Sequence, residues 1–179
     1  MTSDLDNIER QLPGKRNFES PPLHLWDPPL SGDIDIRIAS DGQWYHEGGR
    51  IERESLVRLF ASILRREDDG EYYLVTPVEK WRIAVDLHPL LVTDFESGER
   101  AGEPVLTATL NTGRAVVVDE QHALFPEPRV DNVAALRLDH GLSALCTRAA
   151  WYRLVDLAEE GGDGPRVCSA GAVFALAPD

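Results

Sequence analysis

The run Asp33-Ile34-Asp35-Ile36-Arg37-Ile38-Ala39-Ser40-Asp41-Gly42-Gln43-Trp44-Tyr45 decides how the first half of the chain folds. Residues 33–38 alternate, with Ile34, Ile36 and Ile38 on one face and Asp33, Asp35 and Arg37 on the other, the pattern of a half-buried strand. Ser40-Asp41-Gly42 supplies a turn in which glycine takes positive φ, and residues 43–47 return as the hairpin partner. Gly48-Gly49 ends that return. From Arg53 onward, Leu56, Val57, Leu59, Phe60, Ile63 and Leu64 fall on one helical stripe. Arg65-Arg66 sit where the C-terminal end of a helix favours cations.

A similar unit recurs downstream. Residues 136–145 (Leu136-Arg137-Leu138-Asp139-His140-Gly141-Leu142-Ser143-Ala144-Leu145) read as strand, Gly turn, strand, and residues 150–158 continue as an amphipathic stripe. Both copies carry an Arg-Leu step on the helix, which predicts an internally duplicated hairpin-helix unit and two related halves with a seam between them. Thr147 is placed to cap the second helix, Trp151, Leu154, Val155 and Ala158 share its face, and Gly161 ends it.

Further strands are predicted over residues 72–75, 78–86, 90–95, 105–110, 114–119 and 167–177, with 78–86 crossing toward the second half and a Gly-rich, charged loop at 96–104. Two helices among these strands, joined by tight turns, predict an α+β protein with mostly antiparallel sheet. The expected division is a polar tail at 1–20, with room for one short helix near residues 5–12, an N-terminal α+β domain at 21–78 and a C-terminal one at 79–179. Pro21-Pro22 and Pro28-Pro29 bias their predecessors toward extended backbone, so residues 21–29 read as an irregular strap docking Leu25 and Trp26.

A chain of 179 residues suits one domain or two small ones, since domains commonly hold about 100 to 150 residues. Eighteen basic against thirty-one acidic residues give a net charge of −13, a field that repels nucleic-acid backbones and anionic lipid. Local arginines can still capture a small anion, because distant charges are screened within about 8 Å. No apolar stretch approaches the roughly 20 residues needed to span a bilayer, and no apolar run follows a basic start as in a secretory signal. Two cysteines, Cys146 and Cys168, in apolar strand contexts predict reduced thiols used for packing and a cytoplasmic location.

Motifs for chemistry are absent at readable spacing. His46-Glu47 lacks the second histidine of a zinc-protease helix, no Cys-x-x-Cys pair exists, and Gly14-Lys15 lacks the spaced glycine of a phosphate loop. Gly162 and Gly164 follow a helix rather than a strand, the wrong setting for dinucleotide binding. Val167-Cys168-Ser169-Ala170-Gly171 only loosely matches a nucleophile elbow. No catalytic residue, metal ligand or named cofactor is therefore assigned.

His24-Leu25-Trp26 with Pro28-Pro29, Gly32-Asp33-Ile34-Asp35 with Arg37-Ile38, Leu56-Val57-Arg58-Leu59-Phe60, Leu74-Val75-Thr76-Pro77-Val78-Glu79-Lys80 and Tyr152-Arg153-Leu154-Val155 closely resemble the bacterial family catalogued as domain of unknown function 1285. The resemblance covers about residues 21–176, and 76–80 is its most specific stretch. It departs at Leu87, where the family often shows the second of an acidic pair, and at Leu90, where an aromatic is usual. It implies a two-domain α+β protein with a duplicated core and a C-terminal part superficially like the pleckstrin-homology fold. It also implies a ligand pocket at the domain interface suited to a nucleotide-like compound, and a role in signalling.

The residues and the resemblance together lead to the expectation of a protein that binds a small, polar, phosphate-bearing ligand between its halves. Arg37, Arg53, Lys80 and Arg148 are the candidates for anion contacts, Asp33 and Asp35 for orienting polar groups, and Trp44 and Tyr152 for stacking on a ring. Taken singly, each is more readily a surface ion pair or a core aromatic. The alternative is a protein-interaction adaptor with no small ligand, marked by an apolar patch around Trp26, Trp81 and Phe95. An enzyme ranks third, for want of a nucleophile, base and orienting group at legible spacing.

Overall fold

In the computed structural model, residues 4–12 and 21–177 are described. They fall into two units, one of residues 1–87 with 140–142, the other of residues 88–139 with 143–179.

The first unit holds helices α1 (Asp4–Gln11) and α2 (Glu54–Ser62) and strands β1 (Leu30–Ile38), β2 (Trp44–His46), β3 (Gly49–Arg50), β4 (Leu64–Arg66), β5 (Tyr72–Val75) and β6 (Lys80–Val85). The strands form one sheet in the order β3-β2-β1-β6-β5-β4. As the alternation predicts, Ile34, Ile36 and Ile38 are buried and Asp33, Asp35 and Arg37 exposed. Trp44 lies opposite Ile38 on the buried face, and Phe60 of α2 sets its ring 6.3 Å from the Trp44 ring. Burying each such side chain contributes about 1.5–3 kcal/mol.

The second unit holds β7 (Leu90–Arg100), β8 (Glu103–Leu110), β9 (Ala115–Val117), β10 (Leu124–Glu127), β11 (Val133–Arg137) and β12 (Ser143–Cys146), then α3 (Arg148–Leu157), β13 (Glu159–Gly161), β14 (Gly164–Ser169) and β15 (Ala172–Ala175). Its main sheet runs β10-β11-β12-β7-β8-β9, with β13-β14-β15 as a small separate sheet. Ser169 ties the two together: its buried hydroxyl accepts from the Leu106 amide at 2.8 Å and donates to the Val118 carbonyl at 2.6 Å. Thr147 caps α3 as expected, accepting from the Ala150 amide at 3.2 Å.

Both six-stranded sheets have one plan. Each consists of two three-stranded antiparallel meanders, joined at the centre by a parallel pairing of the sheet's first and last strands in chain order, β1 with β6 and β7 with β12. The duplication therefore resides in the sheet, with β1 matching β7 and β6 matching β12. The helices do not share a place in it: α2 links the two meanders of its unit, whereas α3 follows the completed sheet.

Several expectations need correction. There are three helices among the described residues rather than two. The short helix allowed for near residues 5–12 is the third, α1, which buries Ile8, with Leu12 buried just beyond it, and pairs Glu9 with Arg53 at 2.6 Å; residues 1–3 and 13–20, with Gly14 and Lys15, lie outside the described residues. Helix α2 stops at Ser62, whose hydroxyl turns back onto the Leu59 carbonyl at 2.6 Å, and Leu64–Arg66 pair with β5 instead of continuing the stripe. Strand β6 does not cross to the second half; it lies between β1 and β5, so the first unit runs to Leu87, past the break expected after Val78. The loop expected at 96–104 is a continuous ribbon closed by Ala101 and Gly102, both at positive φ (52° and 83°), the twist-matched geometry of a two-residue hairpin. A second such turn, Ala170 and Gly171, splits the expected final strand into β14 and β15.

Phe60→Ala should lower the unfolding free energy by about 3–5 kcal/mol, the usual penalty for an emptied aromatic site, whereas Leu25→Ala, at a residue 71% exposed, should change it by no more than about 0.5 kcal/mol. Urea denaturation of the two variants measures both; equal effects would contradict the assigned core.

Candidate functional site

Strand alternation turns one face of the first unit's sheet into a polar surface, and register spreads it across six strands. Arg37 of β1 lies opposite Tyr45 of β2, and Tyr45 opposite Arg50 of β3. On the other side, Asp33 of β1 lies beside Arg82 of β6, Arg82 opposite Tyr73 of β5, and Tyr73 opposite Arg65 of β4. The face thus carries two cross-strand rows, each a tyrosine flanked by arginines.

The cations are held by carboxylates. Arg37 grips Asp86 with both arms of its fork, Nε donating to Oδ1 at 2.9 Å and a terminal nitrogen donating to Oδ2. Arg82 Nε donates to Asp33 Oδ1 at 2.7 Å. Lys80 Nζ donates to Glu67 Oε1 at 2.6 Å and sits 4.8 Å from the Tyr73 ring centroid. Arg65 donates to the Leu23 and Trp26 carbonyls at 3.1 and 2.9 Å, and to Glu67 at 3.2 Å, so it fastens the proline-bracketed strap to the sheet. The Tyr73 hydroxyl donates to Asp69.

Exposure separates these groups by role. Arg65 and Lys80 show only 15% and 16% of their side chains to solvent, and act as internal braces. Arg37 and Arg82 show 55% and 38%, and their carboxylate partners engage only some of their N–H donors. The charges respond to their partners as expected. The bond from Arg37 is the main reason the Asp86 carboxyl titrates below its ordinary range, against a smaller opposing effect of burial, and Asp86 in turn raises Arg37. Asp33 raises Arg82 likewise. The bond from Tyr73 lowers Asp69, and that carboxylate pushes the Tyr73 phenol up to about 12.

Of the eight residues singled out from sequence, Asp33, Asp35, Arg37 and Lys80 share this face. Trp44 does not: it is 2% exposed and packs on Phe60, so it cannot stack on a ligand. Its neighbour Tyr45 holds the position expected of it, a swap legible in the alternation because Trp44 pairs with Ile38 and Tyr45 with Arg37. Arg53 precedes α2 and pairs with Glu9. Arg148 and Tyr152 belong to α3 of the second unit, where Arg148 Nε donates to the Tyr152 hydroxyl at 3.1 Å. Sequence reading missed Tyr45, Arg50, Tyr73, Arg82 and Asp86, whose only signal was a polar residue at each alternate position of strands whose partners could not be read. Of the apolar patch that would mark the adaptor alternative, around Trp26, Trp81 and Phe95, Phe95 is 1% exposed and the Trp81 indole donates to Glu79 at 3.1 Å.

Two units built on one sheet plan, each closed by a parallel pair, define a duplicated two-domain α+β protein. Residues 21–87 match the model described as "Domain of unknown function (DUF1285), N-terminal domain", and residues 89–176 that described as "Protein of unknown function (DUF1285), C-terminal domain"; the chain belongs to the DUF1285 family. A crystal structure of a DUF1285 family protein from Silicibacter pomeroyi DSS-3 is similar at a TM-score of 0.84 and 38% identity, over 97% of this chain and 94% of that one. A second, from Shewanella baltica OS155, gives a TM-score of 0.53 and 32% identity over 68% of this chain and 90% of that one. No curated protein matches the chain.

Because the folded state holds the Tyr73 proton more tightly than the unfolded chain, this group's contribution to stability is complete below the ordinary tyrosine value of 10.0 and is lost as pH rises through about 12. Ultraviolet difference titration should show one tyrosine ionising near 12, returning toward its ordinary value in Asp69→Asn. Identical titrations for the two proteins would show that the Asp69 bond does not control Tyr73.

Proposed function

We propose that the protein binds a small, polar, phosphate-bearing molecule of nucleotide-like character, and that the ligand meets the outer face of the first unit's sheet. The observation that carries this reading is the Arg37-Tyr45-Arg50 row together with Arg82 of the neighbouring β6, since Tyr73 is 4% exposed and, with Arg65, braces the face from within. A guanidinium fork matches the geometry of phosphate oxygens, and an adjacent phenol ring offers a surface on which a base can stack. Cations and carboxylates balance on this face, while the whole chain carries −13, so an anion is least repelled here.

The existing ion pairs do not oppose such binding strongly. Arg37 with Asp86 and Arg82 with Asp33 are solvent-exposed pairs, and exposed pairs are worth about 0–1 kcal/mol. A phosphate can replace the carboxylate on each fork at little penalty. Asp35, exposed on the same strand face, is left to accept from ligand hydroxyls.

A cytoplasmic location and a role in signalling belong to the same proposal. The first is supported by the unpaired thiols Cys146 and Cys168, and the second, like a pleckstrin-homology likeness of the second unit, by the family resemblance alone. No helix among the described residues is long and apolar enough to cross a membrane.

A thermal-shift series with pyrophosphate, ATP and cyclic nucleotides tests the reading. At a hundredfold excess over Kd a ligand should stabilise by about 2.7 kcal/mol, and Arg37→Ala and Tyr45→Ala should each abolish most of the shift. Melting temperatures that stay flat for every compound would refute it.

A further inference from the structure

The second unit contains a polar cluster unrelated to that face. His88, just ahead of β7, is 4% exposed and lies between two partners: its Nδ1 is 2.6 Å from Ser143 Oγ at the start of β12, and its Nε2 is 2.7 Å from Glu127 Oε2 at the end of β10. Glu127 is itself 3% exposed and is gripped by Arg129, whose Nε and terminal nitrogen each donate at 2.8 Å and whose amide donates at 3.1 Å. These bonds from Arg129 are the main reason the Glu127 carboxyl titrates at about 2, despite burial that acts the other way.

The hydrogen-bond directions follow from chemistry. An ionised carboxylate only accepts, so the Nε2 facing Glu127 must carry a proton. When the imidazole is neutral, the other nitrogen, Nδ1, bears a lone pair, and the Ser143 hydroxyl donates to it. This is the arrangement in which a histidine can take a serine proton, with the acid fixing tautomer and ring orientation. Ser143 is half-buried rather than sealed, unlike Ser169, whose hydroxyl is spent on two backbone bonds. Arg137 is the cross-strand register partner of Ser143; its guanidinium lies 5.8 Å from the Phe125 centroid, and that ring lies 6.3 Å from the His88 ring.

We propose that Ser143 is an activated nucleophile, with His88 as its base and Glu127, held by Arg129, as the positioning acid, and that the site takes small esters or thioesters. Ser143 Oγ adds to the carbonyl carbon as its proton passes to His88 Nδ1. The bond to the leaving oxygen or sulfur then breaks and that atom takes the proton back from His88, leaving an acyl ester on Ser143. Water repeats the two steps, releasing the carboxylic acid and the free serine. Glu127 takes no proton at any point.

A fluorophosphonate probe reads the reactivity directly, because attack by Oγ on phosphorus expels fluoride and leaves a stable adduct. Intact-mass analysis of the full chain should show one adduct, and peptide mapping should place it on Ser143. It should be absent in Ser143→Ala and should form about 100-fold or more slowly in His88→Asn. No adduct on the wild-type chain, an adduct mapped elsewhere, or equal labelling of Ser143→Ala would overturn the proposal. The wild-type mapping decides the matter even if a variant proves unstable.

Discussion

The hydrogen bonds between β1 and β6, and between β7 and β12, are the ones on which the rest of each sheet depends. Every other strand pair in the two six-stranded sheets is antiparallel and between consecutive strands, so short connections can deliver it. The parallel pairs are different, because they join the first strand of a sheet to its last in chain order, and each must close a long loop before any contact repays the lost chain entropy. In the first unit the closure brings Asp33 to Arg82 across 49 residues of sequence. It also sets Arg37 within reach of Asp86 and gives the polar face its second half. Without it, β1 with β2 and β3 would be one small ribbon and β4 with β5 and β6 another, each with one Arg-Tyr-Arg row and neither with the mixed face.

This division also explains what could be read from the sequence. Local patterns were legible: the isoleucine alternation of β1, the Gly42 turn, the stripe of α2, the Thr147 cap and the second hairpin all depend on neighbours within a few residues. The family itself was legible from short runs such as 76–80. Long-range pairing was not. Nothing within residues 78–86 marks that β6 inserts beside β1, so the domain break was expected too early and Lys80 was assigned to a seam instead of to a brace under Tyr73. Leu64–Arg66 have a helical stripe, and only pairing with β5 makes them a strand. Trp44 against Tyr45 is a one-residue question of facing, answerable from the register and not from residue type. His88, Glu127 and Ser143 are 39 and 55 residues apart along the chain and meet only when β10, β11, β12 and β7 assemble; no spacing rule finds them.

The two polar clusters differ in the way their functions would require. On the first unit's sheet, the exposed ion pairs are cheap to exchange, which suits a surface that trades its own carboxylates for the oxygens of a ligand phosphate. In the second unit, the Glu127, His88 and Ser143 chain is buried and directional, so its partners cannot be traded without leaving a desolvated charge. Exchangeable charge belongs to binding, and fixed tautomers belong to proton transfer. That contrast is why ligand capture is proposed for Arg37, Tyr45, Arg50 and Arg82 and nucleophilic chemistry for Ser143.

The central claim is that the mixed face created by the β1 and β6 pairing is where a phosphate-bearing ligand lands. Amide chemical-shift mapping of the isotopically labelled full chain, titrated with pyrophosphate and then with ATP, measures this most directly. Saturable shifts concentrated at Asp33, Asp35, Arg37, Tyr45, Arg82 and Asp86 are the predicted result. Shifts that never saturate, or that saturate while sparing β1, β2 and β6, would contradict it.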